Sequence, residues 1–228
     1  MPETGRDAAL PVTPVRPATG ARAYMLAAAT LWQREIIRFV RQKGRIVGAL
    51  ISPILFWLLI GSGLGRSFQP GGAGNTHYLN YFFPGTLVMI LLFTAIFSTI
   101  SIIEDRREGF LQGVLVSPIP RGSIVLGKVL GGTTLAVLQA LLFMLAAPFV
   151  GITVTPLAGF AMVGAMALIA FGLTALGFVI AWRSESIQGF HSFMNVLLFP
   201  MWLLSGALFP ASGAEGWVRA VMQANPLS

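Results

Sequence analysis

The residues with the most distinctive chemistry form a charged cluster from Glu104 to Glu108, directly after a long apolar run. A helical apolar face follows it, made of Ile103, Phe110, Leu111, Val114 and Leu115. Pro118 and Pro120 end this helix, because proline lacks the backbone donor and clashes with the preceding turn. A short amphipathic helix of this kind can dock in a groove on a partner. The alternative is a solvated loop whose charges only fix the orientation of the neighbouring segments.

Other chemistry is sparse along the chain. The polar residues that stand out in apolar runs are Gln139, His191 and Asn195, and we interpret each as a helix–helix hydrogen bond rather than a ligand site. With two histidines and no cysteine, the chain has no H-E-x-x-H zinc motif and no thiolate site, so we expect no metal site and no enzyme. We also find no pair of carboxylates within an apolar run for acid–base catalysis.

The segment from Gly122 to Val129 matches the phosphate-loop pattern G-x-x-x-x-G-K, but it has valine where serine or threonine would hold magnesium. It also stands at the start of an apolar helix and not after a strand. We therefore set the nucleotide-binding interpretation aside and expect Lys128 to reach the membrane interface with its amine.

The composition indicates that membrane-spanning helices position these residues. Hydrophobic residues make up 55% of the 228 positions and charged residues 10%, against roughly 25% charged in soluble domains. Crossing a bilayer takes about 20 apolar residues. Five stretches qualify, and we predict an all-α membrane protein, a polytopic helical bundle, with spans at 46–65, 81–103, 129–151, 157–181 and 190–210.

The N-terminal region is different in character. Residues 1–22 are rich in proline, alanine and threonine without apolar periodicity, so we predict a disordered tail. Residues 23–45 combine one apolar stripe, which includes Trp32, with arginines on another face. This pattern is typical of an amphipathic helix lying at the membrane interface, although a helix packed on protein would show it too.

The basic residues predict the orientation. Of the 15 lysines and arginines, all except Arg66 and Arg219 fall on the same side as the N-terminus when five spans are drawn. The positive-inside rule then places the N-terminus in the cytoplasm. This distribution also explains the net charge of +7 by membrane orientation, so we expect no nucleic-acid partner.

The predicted spans contain no Asp, Glu, Lys or Arg. Ion-coupled transporters place such groups inside the bundle, and channels line a polar pore, so both classes are disfavoured. A non-transporting scaffold subunit remains an alternative, because scaffolds also dock partners.

The loop after the second span resembles that of the type-2 ATP-binding-cassette (ABC) exporter permeases, whose coupling helix is followed by Ser-Pro and Gly-Lys. The corresponding residues here are Glu104, Glu108-Gly109, Ser117-Pro118 and Gly127-Lys128. The segment 200–210 with Asn225-Pro226 is similar to the outer turn of that family, through Pro200, Ser205, Gly206, Pro210, Asn225 and Pro226. The family has six spans, and we expect the last to be absent from this chain.

The resemblance implies an exporter half in a bacterial or archaeal cytoplasmic membrane. Two permease chains would pair, each engaging a separate ABC ATPase subunit that binds ATP and magnesium, while this chain binds no cofactor. Coupling would use the helix at about 104–116, held by Glu104, Arg106, Arg107 and Glu108, with Phe110 and Leu111 inserted into the ATPase. Residues 211–228 would cap the path. We expect a drug-like or lipid-like substrate, with glycan export as the alternative.

Overall fold

The computed structural model describes residues 20–64, 78–153, 155–209 and 211–225. These residues form α-helices and short helical turns without any strand, so the all-α prediction is confirmed. Most of the predicted tail, Pro210 and Pro226 lie outside the described residues. The described helices are α1 Ala21–Arg41, α2 Lys43–Leu64, α3 Tyr78–Ser98, α4 Ile100–Arg107, α5 Phe110–Val116, α6 Arg121–Met144, α7 Pro156–Arg183, α8 Ile187–Trp202 and α9 Gly216–Ala224.

The apolar helices identify a multi-pass membrane protein. Four described stretches are long and apolar enough to cross a bilayer, namely Tyr78–Arg107, Arg121–Met144, Pro156–Arg183 and Ile187–Ala207. The first predicted span coincides with α2, whose apolar part, Leu50–Gly63, is shorter. The third ends earlier than predicted, because α6 stops at Met144 and a 3₁₀ turn containing Pro148 follows.

Helix α3 lies at the centre of the bundle and packs against α2, α6, α7 and α8. Aromatic side chains fill the contact with α2. The ring of Trp57 lies 5.7 Å from that of Phe83 and 5.5 Å from that of Phe143, both edge-on. Its indole Nε1 donates to the carbonyl of Leu79 at 3.1 Å. Edge-to-face pairs of this kind add to the gain from burial, and they hold α2 against the core.

Helix α1 runs alongside the N-terminal half of α6 in the same direction, through its Ala28, Leu31 and Glu35 face. The contact is close because α6 carries glycines there: a Cβ at Gly127 would lie 2.7 Å from the carbonyl oxygen of Ala28. The predicted apolar stripe that includes Trp32 lies on a more exposed side of α1. Helix α1 thus packs on protein, and its position at the membrane interface stays a prediction.

The predicted helix at 104–116 is divided in the structure. Residues Glu104–Arg107 end α4, which continues α3 after a break at Thr99. Gly109 then turns the chain with a φ of 76°, a conformation that glycine adopts without a steric penalty. Only Phe110–Val116 forms a separate helix, α5. The sequence missed this break because the amphipathic pattern continues across it.

We expect Gly127→Leu to lower stability by about 1–3 kcal/mol, because the new side chain must displace the backbone of α1. Gly172→Leu is the matched control, since nothing lies within 4 Å of a Cβ at Gly172, and its effect should stay within about 0.5 kcal/mol. Thermal unfolding of the two variants in detergent, followed by tryptophan fluorescence, measures the difference. Equal midpoints would contradict the proposed close contact.

Candidate functional site

Among the described residues, six charged side chains meet where α1, α4 and α6 come together. Three are cations and three are carboxylates, and a further carboxylate, that of Glu108, lies 3.7 Å from Arg38 at the exposed edge. We call this group the ion cluster; its members are Arg34, Glu35, Arg38, Glu104, Asp105 and Lys128. The sequence predicted a charged segment at 104–108 but not its partners on α1 and α6.

Asp105 is the centre of the ion cluster and is fully buried. Arg34 binds it with both guanidinium nitrogens, at 3.0 and 2.8 Å, and Arg38 adds a third hydrogen bond at 2.9 Å. A bidentate arginine–carboxylate pair is among the strongest hydrogen-bonded arrangements. The hydrogen bond to Asp105 raises the pKa of Arg34 above its ordinary value, against the opposing effect of partial burial. Asp105 therefore fixes α1 against α4.

Lys128 joins the ion cluster from α6. Its Nζ donates to Glu35 at 2.5 Å, to the Ser101 hydroxyl at 3.3 Å and to Asp105. The side chain is buried inside the protein, so the expectation that Lys128 reaches the membrane interface is wrong. Burying an amine is tolerable only beside carboxylates, and here two of them compensate its charge.

The remaining charged residues of the predicted coupling segment have different partners. Arg106 donates to the backbone carbonyls of Trp182 and of Ser184, and Arg107 donates to that of Glu185 at 3.2 Å. They tie α4 to the turn after α7. Glu108 lies 3.7 Å from Arg38 and is largely exposed.

Helix α5 turns its first apolar residues inward. Leu111 is buried against Leu31 and Ile124, so the expectation that it inserts into a partner is wrong. Phe110 is half-buried, and the guanidinium of Arg34 lies 3.6 Å above its ring. The outward side instead carries Leu115 and Val116, of which Val116 is 85% exposed.

The end of α5 follows the predicted Ser-Pro signal. The hydroxyl of Ser117 donates to the carbonyl of Val114 at 2.5 Å, and Ser117 itself adopts an extended backbone. Pro118 follows and is exposed. The same Val114 carbonyl also accepts from the backbone N–H of Ser117 at 3.2 Å, so the end of the helix is closed by two hydrogen bonds from one residue.

A cavity of about 740 Å³ opens beside the ion cluster and extends between α2, α3 and α8, with Glu104 at one end. Its wall is mainly apolar and aromatic, with a few polar groups that include Gln139. Large, mostly apolar cavities with a few placed polar groups are typical of small-molecule sites. Its aromatic residues are Phe39, Phe56, Phe93, Phe97 and Phe199.

The predicted outer turn is compact where it is described. Helix α8 contains Pro200 and continues into a π-helical turn, in which Gly206 has a φ of 87°. The Gly206 carbonyl accepts from the Tyr81 hydroxyl at 2.7 Å, and Ser205 donates to the carbonyl of Trp202. Asn225 donates to the Met201 carbonyl at 2.5 Å. The structure thus brings Ser205, Gly206 and Asn225 together.

The sequence profile of the ABC-2 type transporter family matches residues 27–228. This chain belongs to that family. As an ABC-2 protein it is a transmembrane permease subunit of an ABC transporter, and the family implies association with an ABC ATPase subunit. The family resemblance inferred from the coupling segment and the outer turn is confirmed.

Among the relatives of this ABC-2 chain are proteins from two bacteria and an alga. The daunorubicin resistance ABC transporter permease protein DrrB1 of Streptomyces coeruleorubidus is 26% identical over 208 residues, 87% of this chain and 69% of that protein. Nodulation protein J of Sinorhizobium fredii is 26% identical over 185 residues, 80% and 70% of the two chains. The protein ycf38 of Cyanophora paradoxa, named as a transport permease, is 26% identical over 201 residues, 87% and 69% of the two chains.

Sequence reasoning on this ABC-2 chain missed Glu35, Lys128 and the role of Asp105. One signal was available, because Glu35 is the lone acid on a basic helix and shares a face with Ala28 and Leu31. An acid on a buried helical face requires a cation nearby. Which cation could not be read from the spacing, since Lys128 lies 93 positions away.

We expect Lys128→Met to destabilise the protein by about 3–5 kcal/mol, because it leaves two buried carboxylates without their shared cation. Arg121→Met, at an exposed position on the same helix, is the matched control and should change stability by less than about 0.5 kcal/mol. Thermal unfolding in detergent measures both. In addition, Glu35→Gln combined with Lys128→Met should recover part of the loss, and equal stability of Lys128→Met and Arg121→Met would refute the assignment.

Proposed function

We propose that this permease is half of an ATP-driven exporter in a bacterial or archaeal cytoplasmic membrane, with its N-terminus in the cytoplasm. The ATPase docks on the outward side of α5, and ATP and magnesium bind to that partner. The observation that carries the proposal is the division of α5 into a buried apolar side and an exposed apolar end at Leu115 and Val116. Exposed apolar surface with a polar rim is typical of an interaction site.

The distribution of charge supports the orientation. Arg106 and Arg107 on α4 contact the turn after α7, and Arg38 on α1 pairs with Glu104. Basic residues on α1 and α4 therefore lie at one end of the bundle, where the positive-inside rule places the cytoplasm.

A displacement of α5 would be transmitted to the membrane spans through the residues that pack against α5. Leu111 contacts Leu31 on α1 and Ile124 on α6, while the ion cluster joins those two helices to α4. Closely packed interiors transmit displacement because they have few voids. When the ATPase dimer closes, α1, α4 and α6 would thus move together with α5.

We expect Val116→Asp to weaken binding of the ATPase subunit roughly tenfold, because a charge in the centre of an apolar contact costs about 1–2 kcal/mol. Val125→Asp is the matched control, since Val125 is another exposed valine, on α6. Co-purification with candidate ATPase subunits from the same genome, from membranes in mild detergent, measures the difference. Retention of the ATPase by Val116→Asp at the level of Val125→Asp would exclude α5 as the docking site.

The cavity supports an amphipathic drug-like or lipid-like substrate. Its wall includes five phenylalanine rings and only a few polar groups. Such a wall favours a molecule with an apolar body over an extensively hydroxylated glycan. The relative from Streptomyces coeruleorubidus is named for daunorubicin resistance, which agrees with this substrate class.

A second permease chain would cover one face of α8. Gln188, Ser192 and Asn195 follow one another at helical spacing, and all are exposed. Polar side chains that face lipid are costly, whereas across a helix–helix contact they form hydrogen bonds. This polar face therefore favours a protein neighbour over lipid.

We expect Gly48→Trp to abolish stimulation of ATP hydrolysis by daunorubicin, used as an amphipathic probe, because the indole fills part of the cavity. Gly48 belongs to the cavity wall, and nothing lies within 4 Å of a Cβ there. Gly164→Trp is the matched control, because Gly164 is equally open but lies on α7, away from the cavity. The complex with the ATPase in lipid nanodiscs gives the measurement, and equal stimulation in both variants would refute the cavity as the substrate site.

A further inference from the structure

Gln139 is a buried amide whose hydrogen bonding is incomplete. It lies within α6 and is 1% exposed. Its Oε1 accepts a hydrogen bond from the Thr94 hydroxyl at 2.5 Å. Among the described residues, its Nε2 has no hydrogen-bond partner. The amide therefore carries two N–H donors that the described part of the chain leaves unused.

Other polar side chains in the spans differ from Gln139. Thr86, Thr133 and Thr174 each donate to the carbonyl four residues earlier in their own helix. These hydroxyls are satisfied locally and require nothing from outside their helix. A buried donor without a partner is rare and costly in a folded protein. The exception at Gln139 thus requires a partner from outside the described residues.

The surroundings of Gln139 indicate what that partner is. Gln139 and Thr94 both belong to the wall of the cavity, which also includes Phe93 and Phe97. The His191 ring lies 4.8 Å from that of Phe97. Among the described residues of the wall, the charged group is Glu104, at the end of the ion cluster. A negatively charged ligand would meet no cation among these described wall residues.

We propose that Gln139 determines specificity in the cavity by donating its amide N–H to an uncharged acceptor oxygen of the substrate. The substrate class is then an apolar, ring-containing molecule with a carbonyl or ether oxygen, whose body lies against Phe93 and Phe97. This inference rests on the proposed role of the cavity as the substrate site. It goes further, because it names the ligand group that the protein recognises, an uncharged acceptor oxygen.

Binding of 9,10-anthraquinone and of anthracene tests the proposal. The two probes have the same tricyclic body, but only the quinone carries carbonyl acceptors. Equilibrium binding of each radiolabelled probe to the complex in nanodiscs is compared between the wild type and Gln139→Leu. Leucine keeps a similar volume and removes both donors. We expect anthraquinone to bind about three- to tenfold more weakly to the variant, and anthracene to stay within about twofold of the wild type.

Gln33→Leu is the matched control, because it makes the same substitution at an exposed position on α1. It should leave both affinities unchanged. If Gln139→Leu prevents membrane insertion, Gln139→Met provides a second apolar replacement for the same measurement.

The outcomes separate the two proposals. Equal changes in both affinities in Gln139→Leu, or no change in either, would overturn the role of Gln139 while leaving the cavity in place. If Gly48→Trp also leaves both affinities unchanged, the probes do not bind in the cavity, and the proposed substrate site fails together with the inference.

Discussion

The carboxylate of Asp105 is fully buried, and the arrangement of the helices around it depends on how its charge is compensated. Removing a carboxylate from water costs several kcal/mol, which only well-placed cations and hydrogen bonds offset. Here Arg34 and Arg38 come from α1, and Lys128 comes from α6. All three compensate the charge only if both helices lie against α4 in a single register, so the ion cluster restricts the structure more than apolar contacts alone could.

The glycines of α6 make this arrangement possible. A Cβ at Gly131 would lie 2.8 Å from the Cβ of Glu35, so a larger residue would push that carboxylate away from Lys128. Close approach of two helix backbones and pairing of buried charges are therefore linked at one place. The same contact supports α5, because Leu111 packs against Leu31 and Ile124 from those two helices. A short helix of seven residues has little stability of its own, and here it obtains its position from the helices it covers.

The sequence predicted the helices well and the ion cluster poorly, for a physical reason. A membrane span is a local feature of the sequence, because it requires about 20 consecutive apolar residues. The sequence therefore predicted the spans after the first correctly. Asp105 and Arg34 are 71 positions apart, and no local pattern records that they meet. The prediction of which residues of α5 face a partner failed for a related reason. Phe110, Leu111, Leu115 and Val116 are all apolar, so the sequence alone does not say which of them lie inside.

The placement of charge also explains how one chain can combine a rigid end with an apolar path. The ion cluster gathers three cations and three carboxylates beside α5, whereas the predicted spans contain no charged side chain. Ion-coupled transporters commonly carry acidic or basic side chains inside the bundle, and the lack of Asp, Glu, Lys and Arg in the predicted spans disfavours transport driven by protons or ions. In the proposed exporter the driving force therefore enters mechanically, at the charged end where α5 meets its partner. The cavity beside that end can then remain apolar, and its selectivity rests on neutral hydrogen-bonding groups such as Gln139.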